Sequence, residues 1–182
     1  MLQPGTDGEW DEKQVLAPHV LKTDNGYLMY YSGVDSSGIQ MIGMATSADG
    51  VNWTKYNDES TKEKPFLESD PIFTPDKSGA WDAGWVHQPR VFHENDQWIM
   101  IYRGTKTTTG EKMAIGMAAS EDGIHWNRSE SNPLFIPRDI PKAGYLWFHN
   151  ALLIDDMLYL FIEGDINQTT QIFLATHEGT LP

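Results

Sequence analysis

The chemistry open to this chain is that of carboxylates, imidazoles and guanidiniums. It has no cysteine, and so no thiol nucleophile, thiolate metal site or redox switch. Glu163 and Asp165 follow the apolar run from Leu158 to Ile162 and are the candidates for a general acid and its carboxylate partner. Arg103 ends the comparable run from Trp98 to Tyr102, and Ser32 ends that from Tyr27 to Tyr31. A second set of polar residues opens the preceding stretches: His19 after Pro18, then His87, Gln88 and Arg90 around Pro89, then His149 with Asn150. Arg90 and Arg103 can clamp hydroxyls or an oxyanion such as phosphate, while Trp85 and Trp147 can stack on the flat face of a ligand. Glu163 also has a structural alternative, pairing with Arg103 across neighbouring units.

These residues must be positioned by an internal repeat. The segment Ile42-Gly43-Met44-Ala45-Thr46-Ser47-Ala48-Asp49-Gly50-Val51-Asn52-Trp53 returns as Ile115-Gly116-Met117-Ala118-Ala119-Ser120-Glu121-Asp122-Gly123-Ile124-His125-Trp126, identical at eight of twelve positions. Upstream, Gly8-Glu9-Trp10-Asp11 with Pro18-His19-Val20 matches Gly79-Ala80-Trp81-Asp82 with Pro89-Arg90-Val91. A weaker third copy lays Leu158 to Gly164 on Trp98 to Gly104, and Ile172 to Thr176 on Ile115 to Ala119. In this alignment Ser32, Arg103 and Glu163 are equivalent. His19 matches Arg90 and Asn150, whereas His149 matches Pro89. Histidines at non-equivalent positions argue for hydrogen-bonding or ligand-contact roles, and no metal site is assigned to them.

Each copy reads as β structure. The five-residue aromatic and branched runs are apolar on both faces, as in strands buried from both sides. The next strand alternates large with small residues, which predicts close approach of a neighbouring sheet. Asp49-Gly50 and Asp122-Gly123 are two-residue hairpin signals, with a fourth strand beginning at Trp53 or Trp126. Ser47, Asp49, Ser120 and Asp122 suit bonds to their own turn backbones, and Asp11 and Asp82 read as turn caps. No convincing helix is found; Glu59 to Lys64 is short, charged and followed by Pro65. Four short antiparallel strands repeated about an axis describe β-propeller blades. The expected blade-equivalents are 8–75, 79–137 and 144–182 of one domain over 1–182, with 1–5 a fourth strand closing another blade. Three blades are fewer than a propeller needs, so either two chains complete one ring, making a homodimer, or the chain is a portion of a larger one.

Composition narrows the partners. Thirteen Lys plus Arg against 26 Asp plus Glu give a net charge of −13, which repels nucleic acid and anionic membrane surfaces. No apolar run approaches membrane-span length, and the first eleven residues lack the basic and apolar pattern of a secretory leader. Seven each of Trp, Tyr and Phe suit packed sheet or ligand stacking.

The pattern Gly-x-Trp-Asp, a Pro-x-Val strand, a Tyr-Tyr-Ser-Gly or Tyr-Arg-Gly strand end, then Ile-Gly-x-Ala-x-Ser-x-Asp-Gly-x-x-Trp resembles the five-bladed β-propeller glycosidases. These are the glycoside hydrolase family 43 and 32 proteins and the related family 130 mannoside phosphorylases. The resemblance implies an all-β propeller of four-stranded antiparallel blades and an axial pocket where paired carboxylates cleave a small oligosaccharide or glycoside. It implies no required cofactor and admits a structural calcium ion in the axial channel. In the family a catalytic Asp often precedes the strand proline; here the matching residues are Ala17, Gln88 and Phe148, none a carboxylate. Three functions therefore stand side by side. They are a glycoside hydrolase using Glu163, a non-catalytic sugar-binding propeller, and a glycoside phosphorylase. In each, His19, Trp85, His87, Gln88, Arg90, Arg103, Trp147, His149 and Asn150 are the expected substrate contacts.

Overall fold

The computed structural model describes residues 1–109, 113–140, 143–155 and 157–179; the last three residues of the expected third blade, 180–182, lie outside them. The described chain forms three antiparallel sheets in sequence. The first contains β1 (Gln14–Thr23), β2 (Gly26–Val34), β3 (Gln40–Ser47) and β4 (Thr54–Lys55) in that order, with β5 (Pro71–Phe73) also paired to β3. The second repeats the order with β6 (Trp85–Glu94), β7 (Gln97–Thr105), β8 (Ala114–Ser120) and β9 (Asn127–Arg128). The third holds β10 (Ala143–Ile154), β11 (Met157–Ile166) and β12 (Thr169–Glu178). Among the described residues a 3-10 turn at Pro137–Asp139 is the one helical element. No helix there is long and apolar enough to cross a membrane.

Alternation along the strands builds the two joints between sheets. Tyr30, Ile42, Met44 and Phe73 of the first sheet pack on Val86, Val91, Met100 and Tyr102 of the second. Ile99, Ile101, Ile115 and Met117 of the second pack on Leu146, Ala151, Leu158, Leu160 and Ile162 of the third. The first joint is fastened by the Tyr30 hydroxyl, which donates to Gly123 O at 3.1 Å. Aliphatic burial of this kind is the main cohesive force between blades. The opposite face of the third sheet leaves Leu152, Ile154, Ile172 and Leu174 exposed.

The small residues of the large-small alternation in β3 and β8 serve two ends. Ala118 packs at the joint with the first sheet, as the alternation suggests, whereas Gly43 makes room for Trp10 and Gly116 for Trp81, with Gly33 of β2 and Gly104 of β7 against the same two indoles. Asp11 and Asp82 are likewise more than turn caps. Each is fully buried. Asp11 accepts from the Tyr31 hydroxyl at 3.2 Å and pairs with Lys55 at 2.6 Å. Asp82 accepts from the Tyr102 hydroxyl at 2.9 Å and from Arg128 Nε at 2.8 Å. The carboxylate thus ties the second strand of its sheet to the fourth.

Two turn readings are also corrected. Asp49-Gly50 and Asp122-Gly123 lie within longer loops joining β3 to β4 and β8 to β9. Their carboxylates organise those loops as expected: Asp49 accepts from Val51 N and Asn52 N, and Asp122 from Ile124 N and His125 N, all at 2.8 Å. Tight two-residue hairpins lie between β6 and β7, where Asn95 and Asp96 both have positive φ, and between β11 and β12, where Asn167 and Gln168 do. Residues 1–5 form no strand. The amino terminus instead donates to Val51 O at 2.6 Å, and Leu2 packs on the cluster of Trp10 and Tyr31.

Candidate functional site

The first strand of every sheet breaks register near its start. The interruptions fall between Leu16 and His19, between His87 and Arg90, and between Leu146 and His149. Ala17 and Gln88 carry left-handed backbone there, with φ of 50° and 56°. An extra residue re-aims the side chains that follow it, and a left-handed non-glycine residue marks local strain that surrounding contacts must hold. These are the positions at which the family resemblance calls for a carboxylate.

Residues from the second-strand ends brace these bulges across the sheets. Ser32 Oγ accepts from Gln88 N at 2.9 Å. Arg103 donates from Nη1 to Gln88 Oε1 at 3.1 Å and from Nη2 to Leu146 O at 3.3 Å, and also contacts Met113 Sδ. Gln88 Nε2 in turn donates to His149 O at 3.2 Å. Arg90 donates from Nε to Asn150 Oδ1 at 3.0 Å and from Nη1 to Pro89 O at 2.8 Å. Arg103 and Gln88 are therefore buried links between the second and third sheets.

Beside these links lies a cleft of about 360 Å³, lined by Gln88, Arg90, Phe148, His149, Asn150, Phe161, Glu163 and Ile172. Five of the residues singled out in the sequence thus meet on one cavity: Gln88, Arg90, His149, Asn150 and Glu163. Arg103 sits behind the wall, its guanidinium carbon 5.5 Å from the Phe148 ring centroid. The remaining candidates do not line it. His19 bonds Val91 O at 3.0 Å across the first joint. His87 is buried with Trp85 edge-on to it at 4.6 Å, and Trp85 is itself buried, so its faces are closed to a ligand. Trp147 is exposed and stacks on Tyr145 at 5.6 Å. Asp165 stands opposite Tyr145 in register, away from the cleft lining. Phe148, Phe161 and Ile172 line the cleft although sequence reasoning does not mark them as site residues. Their positions one strand apart in the third copy are the available signal.

Burial sets the charge of the site. It pushes His149 down to about 3, with Arg90 and Arg103 adding to the effect. His87 is driven well below its ordinary range by burial, then by Arg103 and His149. His19 is lowered by burial and by Arg90. All three imidazoles are neutral at pH 7. Burial brings Arg103 down to about 10, a pull that Glu163 opposes, and Arg90 is lowered for the same reason; both stay cationic. These nitrogen donors do not fit calcium, which takes carboxylate and carbonyl oxygens. Among the described residues no group of three or more His, Asp or Glu is placed to hold a metal ion.

The fold is that of propeller glycoside hydrolases. A family 117 glycoside hydrolase of Zobellia galactanivorans aligns over 96% of this chain and 46% of its own, at 13% identity and a TM-score of 0.70. A protein solved as an RGII complex aligns over 93% of this chain and 47% of its own, at 18% identity and a TM-score of 0.69. A family 32 β-fructofuranosidase of Bombyx mori aligns over 88% of this chain and 33% of its own, at 14% identity and a TM-score of 0.63. The chain thus spans about half the length of the first two and a third of the other. No family model matches the sequence, and no curated protein matches it.

Proposed function

We propose that this chain is the glycoside-binding portion of a propeller glycoside hydrolase, with Glu163 as the proton-donating carboxyl. The observation that carries this reading is the cleft itself. Glu163 is the one carboxylate among its lining residues, facing a wall of neutral and cationic hydrogen-bond donors and the apolar surfaces of Phe148 and Phe161. That mixture suits a sugar, whose hydroxyls need fixed polar partners and whose ring presents apolar patches. The alignment with glycoside hydrolases gives the same direction.

Glycoside hydrolysis needs a second carboxylate roughly 5 to 9.5 Å from the acid. The bulge positions hold Ala17, Gln88 and Phe148, so the partner belongs to a wall beyond the third sheet. A second copy of the chain supplies that wall. Leu152 and Leu174 on the open face match Phe92 and Met117, which pack at the second joint. Light scattering is expected to give a dimer; a monomer at micromolar concentration removes the second copy. The missing carboxylate also favours a second reading, sugar binding without turnover. An aryl-glycoside panel with Glu163→Gln separates the two. Turnover abolished in the variant supports hydrolysis, while binding without turnover in both proteins supports the sugar-binding reading.

A further inference from the structure

The arginines of this cleft are in an unusual state for so acidic a protein. Among the described residues the ion pairs are Lys55 with Asp11, His125 with Asp122, and Arg128 with Asp82 and Asp76. Arg90 and Arg103 are in none of them, although the chain carries 26 carboxylates. Arg103 is only 3% exposed, and its Nε is buried without an acceptor. Its other nitrogens meet an amide oxygen, a backbone carbonyl and a thioether. A guanidinium withdrawn from water is costly unless an anion compensates it. Arg90, on the cleft wall, spends Nε on Asn150 and Nη1 on Pro89 O. These bonds fix its plane and leave Nη2 for a ligand. His149 also lines the cleft and has a buried Nδ1 with no partner.

We infer that the glycoside taken by this cleft is acidic, and that Arg90 holds the carboxylate of a uronate sugar, with Arg103 behind Phe148 supplying a second positive charge. The inference rests on the glycoside reading above. Two guanidiniums against Glu163 leave the cleft positive within a molecule of charge −13. Such a local field concentrates an anionic ligand that the rest of the surface repels. A singly charged carboxylate fits better than a phosphate dianion, because one guanidinium touches the cavity and Glu163 shares it. A planar carboxylate also matches the guanidinium fork. The apolar walls, Phe148, Phe161 and Ile172, are left to cover the ring.

Calorimetric titration of the full chain with methyl uronosides and with the neutral methyl hexosides of matching configuration tests this. Inorganic phosphate serves as competitor. The uronoside is expected to bind at least about tenfold more tightly than its neutral counterpart, the range of a charged hydrogen bond. That preference should fall on raising the salt concentration, and Arg90→Gln should cut it to below about threefold. Arg90→Lys, which keeps the charge without the fork, should retain an intermediate preference and serves if the glutamine variant does not fold. Phosphate should leave uronoside binding unchanged. Equal or tighter binding of the neutral sugar overturns the inference alone, as does a preference that survives in both variants. Displacement by phosphate also overturns it, by assigning the arginines to a free oxyanion. Failure of every sugar to bind the folded protein brings down the glycoside reading with it.

Discussion

Gly43→Ala probes the packing that makes each sheet a blade. Gly43 lacks the positive φ that would itself disfavour alanine, so its cost is steric alone. A methyl group there would lie 2.7 Å from Trp10 Cη2, 2.7 Å from Tyr31 Cζ and 2.8 Å from the Tyr31 hydroxyl. Ordinary carbon contacts are about 3.5 to 4.0 Å, so a ring must retreat by roughly 1 Å. Neither ring has room to do so. Trp10 and Tyr31 are fully buried, their centroids are 5.8 Å apart, Trp10 Nε1 donates to Ser69 Oγ at 3.0 Å, and the Tyr31 hydroxyl donates to Asp11. Overpacking costs about 1 to 3 kcal/mol, and anchored rings place this site toward the upper end. The gain from replacing glycine in a strand offsets about 0.5 to 1 kcal/mol. The expected net loss is about 2 kcal/mol, a urea midpoint lower by roughly 1 M at ordinary m-values for such a domain. Urea unfolding followed by tryptophan fluorescence measures it. Gly144→Ala is the control, since a methyl group there meets nothing closer than Asp165 O at 4.0 Å; with the same strand gain and no clash it should be about 0.5 to 1 kcal/mol more stable than the parent. A Gly43→Ala protein as stable as the parent would refute the indole-slot account of the repeat.

Asp82→Ala removes the buried acceptor of Tyr102 and Arg128 and should cost about 3 kcal/mol in the same assay, with Asp82→Asn costing less. Ala17→Gly relieves left-handed backbone at φ 50°; release of about 1 to 2 kcal/mol of strain, less the glycine entropy, should raise stability by about 0.5 to 1 kcal/mol. Stability should also fall with acid. His149 is held near 3 when folded but titrates near 6.5 when unfolded. Between those values the unfolded chain binds the extra proton, so stability rises with pH there and levels off above about pH 7. At pH 5 His149 alone should cost about 2 kcal/mol relative to pH 7, and the urea midpoint of His149→Asn should depend less on pH than that of the parent.

How much of this was legible in the sequence follows from the range of each interaction. The strand runs and the Ser-x-Asp-Gly loops are set within a few residues, and periodicity and side-chain chemistry locate them. The roles of Asp11 and Asp82 are not, because their partners Lys55 and Arg128 come from the fourth strand of each sheet, Arg128 lying 46 residues from Asp82. For the same reason Gly43 and Gly116 suggest only the approach of a neighbouring sheet, when Trp10 and Trp81 fill the space they leave. Aligning the repeats brought Gln88, Arg90, His149, Asn150 and Glu163 to one rim, since equivalent strand ends share one end of a blade stack. The alignment could not distinguish buried Trp85 from exposed Trp147. Nor could it show that Ala17 and Gln88 take left-handed backbone, because neither residue type prefers it.

The most direct test of the central claim is an NMR titration of the full chain with a glycoside panel, following the Arg90 Nε–H and the side-chain amides of Gln88 and Asn150. A sugar ligand occupying this cleft should shift all three together, with one saturation curve that Glu163→Gln alters. Saturable shifts confined to the loops at Asp49 and Asp122, with these three unmoved, would contradict the account.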